Sequence, residues 1–133
     1  MRVLIALAAL SGGLITAAGA VGAHAIPPQT ASWDSAVEFG FVHVLAVLAT
    51  AALPFSGMLR KAAMWAFMAG VWLFSLNIIV RALIAASSGS AGTPIDFLAP
   101  LVPVGGLAFM LGWALLAVSA VLARRPERDA GQD

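Results

Sequence analysis

Five side chains have types that could do chemistry in this 133-residue chain: His24, Glu38, His43, Asn77 and Arg81. Two imidazoles, a carboxylate, an amide and a guanidinium can pass a proton, hold an ion or small solute, or tie one helix to another. All five lie in or beside long apolar runs, where such groups are costly and turn toward a bundle interior or water. At about 1.5 Å of rise per helical residue, their depths can be compared. His24 falls at the end of the first run, Glu38 near the start of the second and His43 deeper in it. Arg81 falls near the end of the third run, with Asn77 one turn further in. Glu38 is thus expected level with Arg81, and His43 level with Asn77, all in the outer half of the membrane.

Two readings of this cluster stay open. In one, Glu38 and Arg81 form an ion pair or reach for the headgroups, while His43 and Asn77 make hydrogen bonds between helices. In the other, the five surround a small polar cavity open to the outside. The structural reading has the advantage, because closeness to the interface lowers the cost that argues for function.

Several chemistries have little basis. His24 and His43 differ in depth by about two turns, which argues against a bis-histidine haem. Two histidines and one glutamate without regular spacing are a poor metal signature. No acidic or histidine residue falls in the inner half of a span, so no continuous proton path is laid out, and no carboxylate is expected near mid-membrane. The chain has no cysteine, which removes disulfides, thiolate metal sites and cysteine nucleophiles. No nucleophile–base pair or Gly-rich phosphate loop occurs. No catalytic residue, metal site or cofactor is assigned, and the reading is non-enzymatic. The formal net charge of +1 gives no basis for a nucleic-acid partner.

The elements that must position these residues follow from composition. The chain is 62% hydrophobic and 10% charged, against about 45–50% and 25% in soluble domains. So apolar a chain has lipid as its main solvent. Four apolar runs, Val3 to Ile26, Ala36 to Phe55, Ala62 to Ala86 and Phe97 to Ala123, each reach the roughly 20 residues needed to span a bilayer. Pro27-Pro28, Pro54 with Ser56-Gly57, Ser87 to Gly92 with Pro94, and Pro100 with Pro103 supply the turns. The expected fold is all-α: an integral membrane antiparallel bundle of four transmembrane helices over 1–123, with a short polar tail over 124–133. Arg2, Arg60, Lys61, Arg124, Arg125 and Arg128 then share one side, which the positive-inside rule makes cytoplasmic together with both termini. The three tail arginines serve as a topology anchor. Arg81 is the exception, on the side that also holds Asp34, Glu38 and Asp96.

The first run has a rival reading as a cleaved signal peptide, with Arg2 as the basic start and Ala23-His24-Ala25 as an A-x-A site. Its length and its small residues favour a retained helix. Gly12, Thr16, Gly19 and Ala23 lie along one helical face, with Gly13, Ala17 and Ala20 beside them. Membrane helices use such faces to approach one another closely. Gly12, Gly19 and Gly22 on the first helix are therefore expected at helix contacts, as are Gly105, Gly106 and Gly112 on the fourth. Trp33, Trp65 and Trp72 are interfacial candidates, Trp72 deep enough for ordinary packing.

A family resemblance runs from about Ser11 to Ala120. Gly19-Ala-Val-Gly-Ala-His24-Ala is similar to the Gly-Ala-Phe-Gly-Ala-His signature of a family of small bacterial inner-membrane proteins, domain of unknown function 423, related to animal transmembrane protein 256. Glu38-Phe39 through His43-Val-Leu-Ala46 resembles its aromatic-x-x-x-His-x-Leu-Ala stretch. Leu73-Phe74-Ser75 followed by Ala82-Leu83, Pro103-Val-Gly105-Gly106, and Gly112-Trp113 resemble further elements in the family's order. Departures are Gly40 at a frequent second histidine, Leu76-Asn77 at a common Gly-Ser, Ile79 at a frequent tyrosine, Val102 at a usual threonine, and Arg81 at an apolar position. The resemblance implies a four-helix inner-membrane protein without an established activity. The leading expectation is an accessory protein that packs against lipid and against a membrane-protein partner or a second copy. The alternative is a small transporter or channel component with an outward-facing polar cavity.

Overall fold

The computed structural model describes residues 1–25, 31–54, 57–88 and 94–123. Among them are four helices long and apolar enough to cross a membrane. They are α1 (Arg2–Ala25), α2 (Ala31–Ala52), α3 (Met58–Ser88) and α4 (Leu101–Leu122), the last preceded by a short 3₁₀ turn, Asp96–Leu98. The all-α membrane bundle expected from composition is the fold. The turn at Pro27-Pro28, the glycine-rich stretch before Pro94 and the arginine-bearing tail lie outside the described residues.

Three helix starts differ from those read off the apolar runs, α4 beginning at Leu101 rather than Phe97, behind the 3₁₀ turn. Helix α2 begins at Ala31 rather than near Ala36, because charge does not interrupt a helix at its N-terminus. Asp34 sits in the first turn, where the helix dipole favours an acidic side chain. Helix α3 begins at Met58, ahead of Arg60-Lys61. Pro54 disfavours helical backbone at Leu53 and ends α2. Gly57 takes a φ of 153°, a conformation open to glycine. Arg60 then folds back, 6% exposed, and its Nη1 donates to the Leu53 carbonyl oxygen at 2.9 Å. That bond satisfies a carbonyl left over at the end of α2.

Helix α3 is the centre of the molecule, packing against α1, α2 and α4. It carries one π-helical segment, Val71–Leu76, whose widened turn brings Ser75 against Gly40 of α2. A Cβ on Gly40 would come within 2.9 Å of Ser75 Oγ and 2.7 Å of Ile15 Cδ1, so only hydrogen fits there. Helix α1 contributes the seam Leu4, Ala8, Ser11, Ile15, Ala18 and Gly22, spaced alternately by four and three residues. Trp72 Nε1 donates to Ser11 Oγ at 3.4 Å, joining α3 to α1. The core formed with Val47, Met64, Phe67, Met68 and Val71 is fully buried. Helix α4, by contrast, rests mainly on α3. Helices alternate in direction, so α2 and α4 run parallel on either side of α3.

Candidate functional site

Because α4 is held by α3, it stands away from α2 and a groove of about 780 Å³ opens between them. Helix α2 lines it with Glu38, Phe39, Val42 and His43, at positions that share one helical face. The α4 wall is Pro103, Gly106, Leu107, Phe109, Met110 and Trp113, and Phe74 of α3 forms the floor. One carboxylate therefore faces walls that are otherwise hydrocarbon and aromatic rings.

His43 fixes the distance between the walls. It is 4% exposed and stacks on Phe109 with ring centroids 3.6 Å apart and planes 18° from parallel. Phe67 and Trp113 close around it at 5.7 and 6.0 Å. His43 Nδ1 lies 2.7 Å from the Phe39 carbonyl oxygen, one helical turn back. A carbonyl only accepts, so Nδ1 carries the proton and donates. Trp113 Nε1 donates to His43 Nε2 at 3.1 Å, which that tautomer leaves free to accept. Both ring nitrogens are thus engaged, Nδ1 within α2 and Nε2 in the bond that joins α4 to α2.

The five residues expected to cluster part company. Arg81 does not pair with Glu38. Its Nε and Nη2 donate to Asp96 Oδ1 at 3.1 and 2.8 Å, an ion pair at the α3–α4 connection. On the register set by the His43–Phe109 stack, Glu38 falls about level with Val104 in the first turn of α4, inward of the Asp96–Leu98 turn that precedes that helix. The earlier start of α2 accounts for the difference, since it sinks Glu38 further into the span. Asn77 does not bond His43 either; its Nδ2 donates to the Leu98 carbonyl oxygen at 2.8 Å, a second tie across the same hairpin. His24 is exposed in the last turn of α1 and is not among the groove residues. Of the five, Glu38 and His43 line the groove. Among the described residues, no three His, Asp or Glu side chains gather into a group that could hold a metal ion.

The glycines divide in the same way. A Cβ at Gly105 would meet the Phe74 backbone nitrogen at 2.5 Å, and one at Gly112 would run into the Phe67 ring. These two positions seat α4 on α3. Gly106, expected at the same contact, instead faces the groove, where an added Cβ meets nothing within 4 Å. On α1, Gly22 is buried, while Gly12 and Gly19 flank α2, with Val44 and Val37 at 3.2 and 3.5 Å from an added Cβ. The expected small face is largely outside the contact: Gly13, Thr16, Ala17, Ala20 and Ala23 are exposed. Phe109 and Trp113 join the site as partners of His43 that depth along the sequence does not reveal. Their spacing of one turn on α4, alongside Gly105 and Gly112, is the signal that could have found them.

A family model described as "Protein of unknown function (DUF423)" matches residues 18–106, two thirds of the chain. The chain belongs to this DUF423 family. The UPF0382 membrane protein YwdK of Bacillus subtilis is 30% identical over 91% of this chain and 98% of its own length. The UPF0382 inner membrane protein YgdD of Escherichia coli K12 is 30% identical over 93% of each. The UPF0382 membrane protein SH2409 of Staphylococcus haemolyticus is 28% identical over 90% of this chain and 95% of its own. No solved structure matches. The DUF423 match takes in His24, Glu38, His43, Asn77, Arg81, Asp96 and Gly106, and stops short of Phe109 and Trp113. This DUF423 protein is a multi-pass membrane protein of an uncharacterised family, with its concave face between α2 and α4.

Proposed function

We propose that this protein is a non-enzymatic accessory component of the bacterial inner membrane that binds a spanning helix of a partner protein through the outer face of α1. The observation that carries this reading is the placement of α1's small residues. Gly13, Ala17 and Ala20 lie opposite the seam that α1 uses within the molecule, and all three are exposed. An added Cβ at Gly13 meets nothing within 4 Å. In lipid, small residues on a helix gain little from facing acyl chains, whereas they let a second helix come close. The rival reading, a polar cavity for a transported solute, loses support because Arg81 and Asn77 are engaged at the α3–α4 hairpin and His24 lies elsewhere.

Both termini are cytoplasmic in this proposal, on the strength of Arg2, Arg60 and Lys61. Reporter fusions after Lys61 and Arg125 should read as cytoplasmic and one after Gly92 as external; a cytoplasmic Gly92 fusion would reverse the four-span arrangement. For the partner, affinity purification in mild detergent should yield a stoichiometric membrane protein. Gly13→Leu should abolish that capture while leaving the thermal unfolding midpoint in place. Equal capture by wild type and Gly13→Leu would move the contact off α1.

A further inference from the structure

The groove between α2 and α4 is a separate feature that partner binding through α1 does not use. Its α4 wall, Pro103 to Trp113, is about 15 Å long, half the roughly 30 Å hydrocarbon core, so it is too short to seat a spanning helix along its length. Its volume of about 780 Å³ falls within the range of pockets that take small molecules. Phe39 and Trp113 are each close to half exposed, and Val42, Leu107 and Met110 add apolar surface. Gly106 leaves a notch in that wall.

Glu38 decides the chemistry. Among the described residues it has no ion-pair or hydrogen-bond partner, and the nearest cation on α3, Arg81, is held by Asp96. A carboxylate about 9 Å inside the span that begins at Ser32 is costly in lipid unless a cation meets it. A small hydrated ion would find no other oxygen ligand in these walls, and an anion would be repelled. A cation with an apolar body satisfies both parts of the groove: the charge meets Glu38, and the body lies on aromatic faces that also attract cations.

From this we infer that the α2–α4 groove is a binding site for a lipophilic monocation, with Glu38 as the counter-charge and Phe39, Trp113 and the Gly106 notch receiving its apolar body. Tetraphenylphosphonium is a suitable probe, and tetraphenylborate is an anion of the same shape.

The test uses the full chain in nanodiscs of zwitterionic lipid, with uptake measured by equilibrium dialysis against protein-free discs. Tetraphenylphosphonium should bind saturably, near one per chain. Glu38→Gln, which keeps shape and removes charge, should weaken binding by about tenfold or more, as expected for loss of one ion pair in a low-dielectric site. Gly106→Leu, which fills the notch without touching the fold, should weaken it comparably. Tetraphenylborate should show only the partition seen with protein-free discs. Absence of saturable cation uptake, unchanged affinity in a folded Glu38→Gln or Gly106→Leu protein, or equal saturable uptake of the anion would each overturn the site. None of these outcomes bears on partner capture through Gly13, so the two proposals fail separately.

Discussion

The two flanks of α3 are built from similar residues and reach different ends. On the α1–α2 flank most contacting side chains are small or aliphatic, among them Ala8, Ser11, Ile15, Ala18, Gly40, Val47 and Met68, with the partly exposed Trp72 bonded to Ser11. Backbones come close, and the interior fills. On the α4 flank, Gly105 and Gly112 draw α4 tightly onto α3, while Phe109, Trp113 and His43 stand between α4 and α2. Rings hold the outer helices apart by their own thickness, and a groove is left where no chain atoms fill the gap. The comparison teaches that, in one bundle, glycine spacing sets which helices close and aromatic placement sets which stay open.

The largest effect should come from forcing α4 off its seat. Gly105→Leu drives a side chain into the Phe74 backbone, and a loss of about 3 kcal/mol is expected in detergent unfolding, the upper part of the usual overpacking range. Stability close to wild type would mean that the aromatic side alone holds α4. Next is His43→Ala, which removes a buried ring and leaves the Trp113 N–H without its acceptor. A loss of about 2–4 kcal/mol follows from the cavity and the orphaned donor together. Trp113 fluorescence should also shift as its indole loses that bond.

A smaller effect distinguishes two ion-pair assignments. Arg81 and Asp96 keep side-chain exposures of 27% and 43%, so their pair is expected to contribute only about 0.5–1 kcal/mol. A double-mutant cycle of Arg81→Met with Asp96→Asn should show that coupling, and one of Arg81→Met with Glu38→Gln should show none. Coupling to Glu38 instead would restore the pairing read from depth along the sequence. Smallest of all is Gly106→Leu, adjacent to Gly105 and facing open space. Its unfolding midpoint should stay within about 0.5 kcal/mol of wild type. The contrast between two neighbouring glycines is the most direct check that one lies in a contact and the other in a groove.

Much of this was legible without coordinates. Four apolar runs of bilayer length dictate four spanning helices, because a backbone in lipid must satisfy its hydrogen bonds within each segment. The DUF423 elements were readable in order, and Arg81 and Asp96 could be seen to fall on the same side. Pairing was harder. Depth counted from the edge of an apolar run put Glu38 level with Arg81, but α2 starts at Ala31, and the missing residues shift every level by more than a turn.

What the sequence determined by itself was the solvent, the number of spans and the residue types available at each depth. Those follow from composition and from rise per residue, which are local properties. What only the tertiary structure decided was azimuth: that Gly105 faces Phe74 while Gly106 faces the groove, that Gly13 looks outward, and that His43 meets Phe109 and Trp113 rather than Asn77. In water, a polar stripe tells a helix which side is out. In lipid, the outward face is as apolar as the inward one, so rotation about each helix axis is set by packing between helices.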